Sequence, residues 1–144
     1  MSPPSPVDSS ADVIFVLDES YGVGLKNFET LKIFLSKFVS KLDINTGKTR
    51  VGLLTFSINA LDTVNLNAHS SVASLQSAIS SLVPDAGITT DTAAALGYVR
   101  TRMLTSAAGD RANVQNIVVV ITHEKSEYFG ATVVSIAFIV LFTA

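Results

Sequence analysis

Three short apolar runs, largely β-branched, constrain this chain more than anything else in it. They are Asp12 to Leu17 (DVIFVL), Val51 to Ile58 (VGLLTFSI) and Ile117 to Thr122 (IVVVIT). A strand with one wet face alternates apolar and polar residues. These runs barely alternate, so each reads as a strand buried on both faces. Helical patterns lie between them. From Leu25 to Leu42, the residues Leu25, Phe28, Leu31, Phe34, Leu35, Phe38, Val39 and Leu42 recur at offsets of three and four and form one helix face. Lys26, Lys32, Lys37 and Lys41 lie outside it. Val72, Leu75, Ile79 and Leu82 mark a short helix that Ser70 or Ser71 caps. Leu96, Val99 and Met103 mark another, with Asp91 as its cap and Gly109-Asp110 as its break. Leu61 to Leu66 (LDTVNL) is half polar and reads as an edge strand, hairpin-linked to the run before it. Strands separated by helices imply crossover connections. The expected fold class is therefore α/β: a doubly wound, mainly parallel sheet with helices on both faces.

Composition limits the function. At 144 residues the chain suits one domain, and 48% apolar against 15% charged residues excludes wholesale disorder. Ten Lys and Arg against twelve Asp and Glu leave no basic footprint for nucleic acid or for a polybasic membrane contact. There is no cysteine, which removes disulfides, thiolate metal sites and thiol nucleophiles together. The two histidines, His69 and His123, are too few for a multi-histidine metal site. His69 lies in a polar stretch with no visible partner and reads as surface.

The two ends differ. Residues 1–10 (MSPPSPVDSS) have neither a basic n-region nor a long apolar stretch, so they read as a Pro/Ser-rich linker or tail and not as a secretory signal. Tyr128 to Ala144 carries no charge in seventeen residues. Spanning a membrane as a helix takes about 20. The stretch between IVVVIT and this run, His123 to Gly130, is too short for a parallel crossover, which needs a dozen residues or more. Three readings follow for residues 127–144: an antiparallel strand added by hairpin, a truncated membrane helix, or a foreign segment after a truncation. The Thr, Val and Ile content of Thr132 to Val140 favours a strand. A large apolar surface is expected to be exposed in any case.

In doubly wound sheets ligands bind beyond the carboxyl ends of the strands. Three polar loops fall there. In the first, Asp18-Glu19-Ser20-Tyr21-Gly22, a carboxylate and a hydroxyl two residues apart suit a hard cation such as Mg²⁺, although on this loop alone capping of the next helix is the commoner use of such residues. The Gly22-x-Gly24 pair fits a dinucleotide loop poorly. Its third glycine position is Asn27, and Asp18 and Glu19 would repel a pyrophosphate. The second loop, Gly87 to Thr92, offers hydroxyls beside Asp91, or serial caps. The third, Thr122-His123-Glu124-Lys125-Ser126, offers His123 and Glu124 as a ligand pair, an acid/base pair, or solvated loop residues.

Taken in order, these segments resemble the von Willebrand factor type A family. ADVIFVLDESYGVG is similar to its first strand and Asp-x-Ser-x-Ser loop. NFETLKIFLSKFVSKLDI is similar to its first helix, KTRVGLLTFS to its second strand, GITTDTAAAL to its threonine-bearing loop, and NIVVVITHEKS to its Asp-Gly-bearing strand end. The resemblance covers residues 11–126. It implies a metal-ion-dependent adhesion site in which two serines, a threonine and two aspartates hold a divalent ion that an acidic partner side chain completes. Carried over, Asp18, Ser20 and Thr90 are the retained metal ligands. Gly22 stands where a serine belongs, and His123 and Glu124 stand where the aspartate and glycine belong. Replacing a carboxylate by a neutral imidazole removes a unit charge beside a divalent ion. At about 4 Å and an effective dielectric near 20 that is worth several kcal/mol before desolvation, and imidazole is softer than Mg²⁺ prefers.

The resemblance implies a non-enzymatic protein-binding module of the adhesion or matrix type, extracellular or secreted, with Mg²⁺ or Mn²⁺ bound weakly or not at all. Its partner would be a matrix or cell-surface protein, met by Asp18, Ser20, Thr90, His123 and Glu124. No nucleic acid is expected, and a membrane only if the apolar tail is a truncated spanning helix. A metal-independent structural or assembly module is the alternative. An enzyme with an acidic Mg²⁺ pocket fits less well. There is no G-x-S-x-G elbow, and no constellation unites nucleophile, base and oxyanion donor.

Overall fold

The computed structural model describes residues 10–19, 24–57, 61–84, 92–125 and 134–143; residues 61–62, 123–125 and 134–143 are described by their backbone alone. The elements in chain order are β1 (Ala11–Asp18), α1 (Leu25–Val39), β2 (Thr49–Phe56), β3 (Leu61–Val64), α2 (Val72–Ser80), α3 (Thr92–Tyr98), β4 (Gln115–Lys125) and β5 (Val134–Thr143). A π-helical turn, Val99–Met103, prolongs α3. The strands form one sheet in the order β3-β2-β1-β4-β5. β1 runs parallel to β2 and β4, while β3 pairs antiparallel with β2 and β5 antiparallel with β4. This is the expected α/β sheet, mainly parallel at its centre.

The three apolar runs occupy the three central places: β1 and β2 are buried on both faces, whereas Ile117 and Val119 of β4 are only half-buried on the α1 side. In β1, Val13, Phe15 and Leu17 face α1 and α2 and pack with Leu31, Leu35, Val39, Leu53, Leu75 and Ile79. Ile14 and Val16 face the other way, onto Ala95, Val99 and Met103. At about 25 cal/mol per Å² of apolar area removed from water, this two-sided burial is the main stabilising term of the strand set. α2 begins at Ser71, whose hydroxyl accepts the Ser74 N–H at 3.2 Å. Asp91, the cap read for α3, and residues 1–9 lie outside the described residues.

A buried ion pair ties the amino ends of the parallel strands together. Asp12 is fully buried, and Arg111 grips its Oδ1 through Nε at 2.9 Å and Nη2 at 2.7 Å. The backbone N–H of Arg111 donates to Asp12 Oδ2 at 2.8 Å. The same guanidinium donates to the carbonyls of Ala11, Gly47 and Lys48. One side chain thus fixes the start of β1, the turn before β2 and the approach to β4.

Two expectations are corrected and two others are resolved. First, α1 stops at Val39 and not at Leu42, and its apolar face is only partly buried. Phe28, Leu31, Leu35 and Val39 are buried, but Leu25, Phe34 and Phe38 are 68%, 46% and 39% exposed. The helix covers the sheet toward β2 with α2 beside it, and among the described residues no helix flanks its other side over β4. Phe38 meets Phe15 edge-on at 5.9 Å, and Phe34 stacks on Phe38, so the aromatic ladder climbs from the core to the surface. Second, β4 runs to Lys125, so His123 and Glu124 lie in a strand and not in a loop. They pair with Ile136 and Ser135 because β5 prolongs the ladder past the end of β1. Third, of the three readings for the apolar tail, residues 134–143 take the antiparallel strand, paired with β4, and among the described residues no helix is long and apolar enough to cross a membrane. Fourth, His69 lies at the surface as read, half-buried in the wall of a groove of about 270 Å³ that Ile44, Thr49, Arg50 and Leu66 also line, at the amino end of β2.

Candidate functional site at the carboxyl ends of the central strands

Parallel pairing brings the carboxyl ends of β1, β2 and β4 side by side. Asp18 pairs with Phe56, and Leu17 with Ile121, so Thr122 falls next to Asp18. The Thr122 hydroxyl donates to Asp18 Oδ2 at 3.0 Å. Asp18 is 1% exposed, and so is Glu19, whose backbone N–H donates to the Phe56 carbonyl at 3.0 Å. Ser57 and Thr55 at the end of β2 are also buried. A carboxylate is rarely buried without partners. Here the partners come from an adjacent strand end, which sets the carboxylate's position through the sheet itself and not through a flexible loop.

The pleat sets the side of the sheet. Asp18 shares a face with Ile14 and Val16, the face on which α3 packs. The segment entering α3 contains Thr90, which lies outside the described residues, as do Ser20 and Gly22. His123 and Glu124 are placed by backbone only. Of the positions read from the sequence, Asp18 alone has its side chain described, and its site is the one where strand ends converge. The Thr122 contact escaped sequence reasoning. Its signal was available: the runs ending VLD and VIT each stop on a polar residue one step beyond the apolar stretch, as in-register parallel neighbours do. Among the described residues no group of three or more His, Asp or Glu is placed to hold a metal ion. In kind, the Asp18 carboxylate and its hydroxyl neighbour suit a hard cation.

Comparison with known proteins agrees with this arrangement. The sequence model of the von Willebrand factor type A domain matches residues 12–137. The chain is 35% identical over 127 residues to mouse collagen alpha-4(VI) chain, a match covering 87% of this chain and 6% of that one. It is 36% identical over 114 residues to mouse matrilin-1, covering 77% of this chain and 23% of that one. It thus spans less than a quarter of either relative. Proximal thread matrix protein 1 from the mussel byssus superposes with a TM-score of 0.75 at 25% identity, over 86% of this chain and 33% of that one. Another structure of that mussel protein, with zinc occupying its MIDAS motif, gives the same TM-score at 24% identity over 87% of this chain and 34% of that one, a likeness of fold. With the sheet order, the central buried strands and a family match over most of its length, this chain belongs to the von Willebrand factor type A domain family.

Proposed function

We propose that this chain is a non-enzymatic protein-binding module of the adhesion or matrix type, whose dependence on a divalent metal is weak. The observation that carries the reading is Asp18: a buried carboxylate held by Thr122 at the convergence of three strand ends, where this fold class binds ligands. Family membership and relatives that are matrix proteins support an extracellular protein partner. Asp18, Ser20 and Thr90 would hold the ion, and a bound ion would supply a positive anchor for an acidic side chain of the partner. Gly22 and His123 leave that ion short of one hydroxyl and one carboxylate. The weakened charge shifts recognition toward the polar groups around the strand ends, His123 and Glu124 among them. The domain is assigned to residues 11–126 with 1–10 as a linker, and the apolar tail 127–144 supplies a strand, β5, to the same sheet.

Calorimetry with Mg²⁺ and Mn²⁺ tests the metal half of this reading. The expected result is no saturation below the millimolar range, and micromolar affinity would overturn it. Binding to immobilised matrix proteins, with and without chelator, tests the other half. Binding that survives chelator but falls at least tenfold in Asp18→Ala is expected. Binding unchanged in that variant would place the interface elsewhere.

A further inference from the structure

The open edge of β5 points to an interaction that the strand-end site does not explain. β5 is the last strand of the sheet, and among the described residues no strand lies on its far side. Ten residues at about 3.4 Å each leave some 34 Å of backbone donors and acceptors on that edge. Edges of this length are ordinarily blunted by charge, proline or brevity. Val134–Thr143 (VSIAFIVLFT) contains no charged residue, no proline and no glycine. The opposite edge differs: β3 is four residues long and includes Asp62.

We propose that β5 pairs antiparallel with β5 of a second copy of this chain, joining two five-stranded sheets into one of ten strands. The partner follows from the two edges. Pairing β5 with β3 of a neighbour would set ten residues against four and leave most of the apolar edge bare. Pairing β5 with itself matches length and composition, and a two-fold axis normal to the sheet closes the assembly. Among the described residues only the short β3 edges then remain free, so growth stops at the dimer.

The pleat also restricts the register. The two-fold keeps each face of the sheet on the same side in both copies, and directly opposed residues must share a face. Opposed residue numbers must therefore be both even or both odd, which places the axis on a residue and not between two. For a centred strand that residue is Phe138 or Ile139. Even-numbered β5 positions lie on the α1 side, because Phe142 pairs with Ile117 and Phe138 with Ile121. The joined sheet would thus extend the face on which Phe34 and Phe38 are exposed.

The chain has no cysteine, so the test has no background. Phe138→Cys, Ile139→Cys and Ser135→Cys would each be oxidised and run on a non-reducing gel, alongside light scattering of the unmodified chain. The expected result is a scattering mass twice 15.2 kDa, with disulfide dimer forming at least tenfold faster in Phe138→Cys or Ile139→Cys than in Ser135→Cys. In either register the two copies of position 135 lie about 20 Å or more apart along the strands, beyond disulfide reach. A monomeric mass at all concentrations would overturn the proposal. So would polydisperse aggregate that cross-links equally at the three positions. Neither result depends on metal binding, so this inference and the proposed function fail independently.

Discussion

Replacing Arg111 with methionine removes the clamp beneath the sheet and leaves most other packing intact. Asp12 Oδ1 loses both of its guanidinium donors, at 2.9 and 2.7 Å, and only the backbone N–H of residue 111 remains, on Oδ2. Asp12 is fully buried, so water cannot replace them without opening the structure. The carbonyls of Gly47 and Lys48 also lose a donor, but these contacts are exposed and water takes over. Breaking a buried pair from one side costs about 3–5 kcal/mol, a large part of the roughly 5–15 kcal/mol that holds a domain folded. For a chain of this size that corresponds to a fall of about 10–20 °C in melting temperature. Asp12→Asn keeps the shape and leaves a guanidinium that is partly solvated, 24% exposed, so it should cost less, about 1–2 kcal/mol. Urea unfolding of both single variants and the double variant measures this, and the double variant should cost less than the sum of the singles. A loss below about 1 kcal/mol in Arg111→Met, or strict additivity, would refute the reasoning. The clamp bears on the proposed site because it fixes the parallel register whose other end brings Thr122 to Asp18.

Gly109→Ala should destabilise by about 2 kcal/mol or more, since its φ of +101° is left-handed and a Cβ would meet the Asn67 backbone nitrogen at 2.6 Å. Gly24→Ala should cost about 1–3 kcal/mol through backbone strain alone, because its φ of 78° and ψ of 153° suit only glycine while nothing lies within 4 Å of the added carbon; thermal melts of the two variants separate strain from clash. Ser71→Ala should lower stability by about 1 kcal/mol by removing the α2 cap, read as a shift in urea midpoint at constant slope. Thr122→Val should leave the melt within about 1 kcal/mol of the parent yet reduce matrix-protein binding several-fold, because Asp18 loses the hydroxyl that holds its Oδ2; unchanged binding would mean that Asp18 is positioned by other contacts.

Much of the fold is legible from residue pattern because central parallel strands leave a strong signature. DVIFVL and VGLLTFSI are apolar on both faces and are buried on both, whereas the equally apolar IVVVIT leaves Ile117 and Val119 half-buried where, among the described residues, no helix covers β4. The short, half-polar LDTVNL reads as an edge for the converse reason. Asp18 is legible as a carboxylate at the sheet's carboxyl edge because it ends such a strand. The burial of α1 was not legible. Its apolar residues at Phe34 and Phe38 have the same spacing as Phe28 and Leu35, and spacing says which residues share a face, not how far the neighbouring elements extend over it.

The local sequence by itself determined the strand and helix types, the Ser71 cap and the candidate strand-end carboxylate, because these depend on residue chemistry and periods of two and 3.6. Tertiary structure decided the partners. That Thr122 holds Asp18, that Arg111 grips Asp12 across 99 positions, and that His123 and Glu124 continue a strand all follow from register between segments far apart in the chain. Register is set by the summed packing of whole faces, and no single segment carries that information.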